Sequence, residues 1–277
     1  RHARLLGRRP SGAPAEVLLI HPATEGDWVA MGKPGSALRP GKRIELGPGA
    51  AIETIAVLEG ANRLVRFVGV TAEEAMGRWG RLPLPPYIER APTAGDDERY
   101  QTVYADRPGS VAAPTAGLHF TEAALGRAAA AGIAIAKLDL EVGPGTFRPV
   151  EVEDPKSHPM HRERFTIPRD VVDTVAAARS RGGKVWAVGT TVVRALESAA
   201  DETGSLREGT QETSLLILPG YRFRVVDRLI TNFHLPRSTL LMLVSAFGGT
   251  ELIRAAYRHA IAARYRFYSY GDAMAIL

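Results

Sequence analysis

The stretch Val185-Trp-Ala-Val-Gly-Thr-Thr-Val-Val-Arg-Ala-Leu-Glu-Ser-Ala-Ala200 decides the fold class. Its first four residues are apolar and stop at Gly189, which reads as a short buried strand, Val185–Val188; two hydroxyls follow, and Val192–Ala200 has the apolar spacing of a helix. Thr190 or Thr191 is placed to cap that helix by accepting a hydrogen bond from an orphan N–H of its first turn. A strand delivered into a helix is the unit of an α/β layer, and open α/β sheets hold ligands at that junction.

Outward from this unit the alternation continues. Thr121 caps a helix over Glu122–Ala131 that Gly132 stops, Ile133–Val142 is a strand, and Pro168 starts a helix that Gly182 and Gly183 end. Leu215–Leu218 is a further strand, and Arg222–Thr231 alternates about Asp227 as a hairpin does. Ser238 caps Thr239–Phe247, and Thr250 caps a last helix to Tyr265. Before residue 90 the texture differs: short β-rich runs at Glu16–His21, Trp28–Gly32, Arg43–Leu46, Ala51–Leu58 and Arg63–Val68 are separated by Gly, Pro and Asn, as in a small antiparallel barrel or sandwich. The proline-rich Leu82-Pro-Leu-Pro-Pro-Tyr87 closes that part, so residues 1–90 and 91–277 are expected to be separate domains.

Composition narrows the class. With 277 residues, 45% apolar and 23% charged, the chain is ordinary globular protein, which excludes collagenous, coiled-coil and disordered readings. The longest apolar runs, such as Leu240–Ala246, are far short of the roughly 20 residues a membrane helix needs. Without cysteine there is no disulfide, thiolate nucleophile or Cys-ligated metal, and a reducing cytoplasm is the expected compartment. The row opens on Arg1 with no secretory leader pattern, and reads as a fragment or a trimmed numbering. Only five of the 35 basic residues are Lys, so the net charge of +5 is a guanidinium charge. Guanidinium forks suit RNA phosphate and bases, although a compositional bias toward Arg explains the same count.

Polar chemistry concentrates in four segments. Ala113-Pro-Thr-Ala-Gly-Leu-His-Phe-Thr121 places His119 at a helix mouth where a carboxylate or phosphate can rest on free N–H groups, or where the imidazole simply packs. Val142-Gly-Pro-Gly-Thr-Phe-Arg-Pro149 is a Gly-rich loop, Gly143 and Gly145 allowing backbone close to a ligand or serving an ordinary turn. His158-Pro-Met-His161-Arg-Glu163 could be a two-His, one-carboxylate metal triad or a set of proton-transfer groups. The fourth pairs the helix start at Gly189 with Leu229-Ile-Thr-Asn-Phe-His-Leu-Pro-Arg-Ser238, in which Asn232, His234 and Arg237 have no evident packing task.

These segments, with Gly189-Thr-Thr-x-x-Arg-Ala-Leu-Glu-Ser198, Pro219-Gly-Tyr-Arg-Phe223 and Phe267-x-Ser-Tyr-Gly-Asp-Ala-Met274, occur in an order that closely resembles the S-adenosylmethionine:tRNA ribosyltransferase-isomerase family of queuosine biosynthesis. The resemblance extends through Arg99-Tyr-Gln-Thr-Val-Tyr104 to essentially the whole chain. It implies a mixed-sheet α/β domain with a smaller β-barrel domain inserted. It also implies an additional N-terminal segment before Ala3-Arg4-Leu5, which the row does not contain.

The implied reaction moves and isomerises the ribosyl part of S-adenosylmethionine onto 7-aminomethyl-7-deazaguanine at the tRNA wobble position. It yields epoxyqueuosine and releases adenine and methionine, with S-adenosylmethionine as co-substrate, no other cofactor and no metal. A sulfonium acidifies the adjoining C5′ hydrogens, so His119, His161 and His234 are candidate bases, and Glu163 or a histidine is a candidate donor to the departing adenine. Thr115, Gly117, Gly143, Gly145, Thr190, Thr191, Arg194, Asn232 and Arg237 are candidate substrate-binding residues. Arg194 has the alternative of an ion pair with Glu197 on the same helix. Arg254, Arg258, Arg264 and Arg266, with Tyr257, His259, Tyr265 and Phe267 among them, are candidates for the tRNA anticodon stem-loop. The protein is expected to act as a monomer. Two other classes compete: a metal-dependent hydrolase or oxygenase on His158, His161 and Glu163, and a non-catalytic RNA-binding module.

Overall fold

The structure, a computed structural model, describes residues 2–85, 87–106, 110, 112–143, 152, 154–158, 160 and 162–277. The chain divides into two compact units, residues 1–98 with 107–112 and residues 99–106 with 113–277. The division falls eight residues beyond the expected break at 90, and the chain returns once to the first unit.

The first unit is β-rich. Strands β1 (Arg4–Arg8), β2 (Pro14–Pro22), β3 (Trp28–Lys33), β4 (Arg43–Gly47), β5 (Ala50–Val57) and β6 (Arg63–Val68) precede helix α1 (Ala72–Trp79), the two-residue β7 (Gly80–Arg81) and helix α2 (Ala94–Arg99). The sheet order is β2-β3-β6-β5-β4-β1-β7, and β1 also pairs along its length with β2, from Arg4↔Leu18 to Arg8↔Pro14. Alternation drives this: Ala15, Val17 and Leu19 of β2 are buried while their neighbours are not, as a period of two requires. Those residues join Leu5, Trp28, Ile44, Ile52 and Val65 in one core. Gly7 lets β1 approach β4, because a Cβ there would meet the Glu45 carbonyl and the Ile44 side chain.

All five strands expected before residue 70 are present, with ends moved by a residue or two. Helix α1 was not anticipated, although its signature is local. Thr71 Oγ1 accepts from Glu74 N and the Glu74 carboxylate accepts from Thr71 N, a complete capping box.

The second unit packs helices on two small sheets. A 3-10 turn (Thr115–His119) leads to α3 (Glu122–Ala130), β8 (Asp139–Glu141), β9 (Glu163–Ile167), α4 (Arg169–Ser180), β10 (Trp186–Val188) and α5 (Thr190–Ala199). Then come β11 (Gly209–Thr213), β12 (Arg228–Asn232), α6 (Thr239–Gly248), α7 (Thr250–Ala262) and β13 (Ala273–Ile276). One sheet has the order β10-β12-β13, β10 and β12 parallel with Val188 opposite Ile230, and β12 and β13 antiparallel. The other, β11-β9-β8, is antiparallel. Phe165, Ile167, Val193, Leu196, Ile217, Leu229, Leu243 and Ile276 are among the buried residues of its core. The chain is thus a mixed α/β protein with several sheets.

Four local expectations fail here, each for a tertiary reason. The strand expected over Ile133–Val142 is reduced to β8: Ile133 and Ile135 are 58% and 44% exposed, and no described strand pairs with residues 133–138. Leu215–Leu218 joins no ladder, since the Leu215 carbonyl accepts from the Arg194 side chain instead. The hairpin over Arg222–Thr231 does not form, because Arg224, Val225 and Val226 donate their backbone N–H groups to the Glu197 carboxylate. Glycines, not Thr190, Thr191 or Thr250, stand at the N-caps of α5 and α7: Gly189 and Gly249 have φ of 100° and 83°. Thr121 and Ser238 do cap α3 and α6, through Ala124 N and Leu241 N.

Candidate active site

Strands β10 and β12 run parallel and end on the same edge of their sheet, and the unusual polar chemistry of the second unit begins there. Gly189 N donates to the Ile230 carbonyl at 2.8 Å, which fixes the end of β10 to the middle of β12. With φ 100° and ψ 145°, Gly189 occupies backbone space that is essentially glycine's own, and it swings the chain directly into α5. Thr190 is buried and Thr191 half-buried in that first turn, next to N–H groups that have no partner within the helix.

The 3-10 turn lies alongside, since a Cβ on Gly189 would touch the Ala116 side chain. Its own Gly117 is buried against Tyr104 Oη and the Thr102 methyl, with no room for a side chain, and Thr115 is half-buried. The turn brings His119 to β12, where Asn232 Nδ2 lies 3.0 Å from His119 Nε2 and donates to the Tyr268 carbonyl at 3.1 Å. The His119 ring remains exposed, whereas Asn232 is 2% exposed and its Oδ1 has no partner among the described residues. Partial burial draws the His119 pKa below its ordinary value, with Asp272 opposing and Arg266 reinforcing the change.

Two residues beyond β12, His234 turns inward. Its Nε2 is 2.8 Å from Thr231 Oγ1, and its backbone N–H donates to Tyr257 Oη at 2.8 Å. Burial lowers the His234 pKa to about 4, so the ring is neutral at physiological pH. Tyr257 and Phe267 pack edge-on or tilted against Phe233, with centroids 5.3 and 5.1 Å away. Both rings are half-buried and belong to an aromatic cluster around Phe233.

Glu163, at the head of β9, is buried and accepts from Arg194 Nη1 at 2.7 Å. Arg194 therefore pairs across the unit, not with Glu197, whose carboxylate is taken by three backbone N–H groups. Arg194 Nη2 is buried with no partner among the described residues. An acidic role for Glu163 at a departing base is hard to reconcile with a carboxylate held as an acceptor by a buried guanidinium. The same commitment counts against Glu163 as a metal ligand. His158 is half-buried, and His161 and Gly145 lie outside the described residues. No cluster of three His, Asp or Glu fit to hold a metal is found among the described residues.

The remaining candidates are dispersed. Gly143 follows β8 and is half-buried, and Arg237 is exposed with φ 52° in the turn before α6. Arg254 and Arg258 on α7, then Arg264 and Arg266, are all exposed. Arg254 pairs with Glu251 at 3.1 Å, and Arg266 with Asp272 at 3.2 Å. Asp272 also accepts from Arg266 N at 2.7 Å and closes the loop that carries Tyr268. Tyr268, Thr231 and Asp272 were not singled out from the sequence. The only signal for the first and last was their place in the stretch Phe267–Met274.

A parallel strand pair feeding a glycine-started helix, with two histidines near its carboxyl edge, is the arrangement at whose strand ends open α/β proteins hold ligands. The chain belongs to the queuosine biosynthesis protein family, whose sequence profile, described as "Queuosine biosynthesis protein", matches residues 1–276. It is 54% identical over 273 residues to the S-adenosylmethionine:tRNA ribosyltransferase-isomerase of Thiobacillus denitrificans, covering 98% of this chain and 78% of that one. It is 51% identical over 274 residues to the protein of that name from Azoarcus sp., covering 99% and 79%. A crystal structure of S-adenosylmethionine tRNA ribosyltransferase from Thermotoga maritima is 32% identical, covering all of this chain and 78% of that one, with a TM-score of 0.49.

Proposed function

We propose that the chain is an S-adenosylmethionine:tRNA ribosyltransferase-isomerase of queuosine biosynthesis. It transfers and isomerises the ribosyl part of S-adenosylmethionine onto 7-aminomethyl-7-deazaguanine at the tRNA wobble position, giving epoxyqueuosine-tRNA, adenine and methionine. The observation that carries this reading is identity of about half over nearly the full chain to relatives bearing that name. S-adenosylmethionine enters as co-substrate, and the scheme invokes neither a further cofactor nor a metal.

In this scheme the first turn of α5, with Thr190 and Thr191, receives the methionine carboxylate or ribose hydroxyls, helped by Thr115 and Gly117 of the neighbouring turn. One of His119, His161 and His234 serves as the base that removes a C5′ proton. The exposed Arg254, Arg258, Arg264 and Arg266 supply charge for the anticodon stem-loop, and Arg237, Gly143 and Gly145 are further contacts to substrate. Arg194 and Glu163 support this site as a buried pair. We further propose that residues 1–90, whose strand pairings return on themselves through β1, are a small β-barrel domain, and 91–277 the catalytic domain. We take the protein to work as a monomer in the cytoplasm, in keeping with the finding that no helix among the described residues is long and apolar enough to cross a membrane.

The test is incubation with S-adenosylmethionine and tRNA carrying the aminomethyl-deazaguanine base, in the presence of EDTA. Adenine release together with an epoxycyclopentanediol-bearing wobble nucleoside is expected. Turnover abolished by EDTA would favour the metal reading on His158, His161 and Glu163.

A further inference from the structure

Three atoms around Asn232 are enough to assign protons that no hydrogen position records. The Tyr268 carbonyl can only accept, so the Asn232 atom 3.1 Å from it must be the amide nitrogen; the flipped amide would set two oxygens against each other. That same nitrogen is 3.0 Å from His119 Nε2, and an NH2 group has no lone pair to offer, so Nε2 must accept. A neutral imidazole that accepts at Nε2 carries its hydrogen on Nδ1. The Tyr268 carbonyl is itself held in place. Tyr268 is a non-glycine residue at φ 69°, its N–H donates to the Phe233 carbonyl at 3.0 Å, and its oxygen also accepts from Gly271 N at 3.0 Å.

We infer that Asn232 is a positioning residue that holds His119 as its Nδ1–H tautomer, so that His119 presents a hydrogen-bond donor to an acceptor atom of the bound substrate. The free edge of the ring fits this use: His119 is exposed, and no described residue bonds its Nδ1. The role of His119 in turnover rests on the reaction proposed above, whereas its tautomer does not. In this arrangement His119 is not the base, which leaves proton removal to His161 or His234. Protonating His119 would place an Nε2–H against the Asn232 NH2 and break the contact. The groups acting on its charge are Asp272, which favours the cation, and Arg266, which disfavours it, both from the loop bearing Tyr268.

The experiment is a long-range 1H–15N correlation spectrum of the 15N-labelled full chain, with the His119 ring signals identified by their loss in His119→Gln. An Nδ1–H pattern at neutral pH, titrating below pH 6.5, is expected; the commoner Nε2–H pattern in the unaltered protein overturns the inference. Asn232→Asp puts a carboxylate against Nε2, so the ring should convert to the Nε2-protonated form and titrate at higher pH. In that variant only the cation keeps an Nδ1–H, so kcat/KM for adenine release should fall as the pH rises through the raised pKa. A folded Asn232→Asp variant whose kcat/KM does not fall there overturns the role of His119 in turnover. An unaltered chain that shows the Nδ1–H pattern but releases no adenine upholds the positioning by Asn232 and counts against the reaction.

Discussion

Arg194 on α5 and Glu163 at the head of β9 form an ion pair with 2.7 Å between Nη1 and Oε2, their side chains 5% and 6% exposed. Burial pulls the Arg194 pKa down and the Glu163 charge only partly offsets this, so each partner makes the other's burial tolerable. Removing one leaves an uncompensated charge in the core, which costs about 3–5 kcal/mol, while replacing both with apolar residues of similar volume is far milder. Arg194→Met and Glu163→Met should therefore each lower the denaturation midpoint sharply, and the double variant Arg194→Met with Glu163→Met should recover most of the loss. Additive single effects in urea unfolding would show that the two side chains do not act as a pair.

His234 makes stability depend on pH. Its folded pKa of about 4 lies below the ordinary value of 6.5, so between those values the unfolded chain binds the extra proton. The contribution is complete above pH 6.5, falls as the pH is lowered, and is gone below about pH 4; a gap of this size is on the order of 3 kcal/mol. Chemical denaturation at pH 7, 6 and 5 should show the native protein losing stability over this range more steeply than His234→Gln. Parallel slopes would mean that His234 is not buried as a neutral ring.

Gly189 is the hinge between β10 and α5, and its backbone angles suit no other residue. Gly189→Ala makes only ordinary contact with Ala116 but strains the backbone, with an expected cost of about 1–3 kcal/mol. Because the strain falls on the first turn of α5, S-adenosylmethionine binding by calorimetry should weaken more than it does for Gly126→Ala, on an open face of α3. Equal effects on binding would remove the first turn of α5 from the substrate site.

The exposed arginines of α7 predict a salt signature. Arg258→Ala should weaken tRNA binding and reduce the slope of log affinity against log salt by about 1, as loss of one phosphate contact does. Arg43→Ala, on β4 of the first unit and paired with Glu53, is the control that should leave the slope unchanged. Identical slopes for Arg258→Ala and the parent would place the RNA elsewhere.

Much of this protein is local in origin. The alternation of Glu16–His21 and Trp28–Gly32 dictates strands, the hydroxyls of Thr121 and Ser238 dictate helix starts, and the ordered motifs from Ala113 to Met274 identify the family. These depend on residues a few positions apart, where backbone geometry and side-chain reach leave little choice. Other features were decided only when distant segments met. Arg194 chose Glu163, 31 positions away, over Glu197 three positions away, because Glu197 was claimed by the backbone of Arg224, Val225 and Val226. That same claim cancelled the hairpin written into the alternation of Arg222–Thr231. The proton on His119 was set by Asn232, 113 residues further on, and by a backbone carbonyl at Tyr268, whose side chain gives no hint of it. A carbonyl and an amide are present at every position and specify nothing until the fold gives them a neighbour, and a buried charge selects whichever partner the packing brings within about 3 Å.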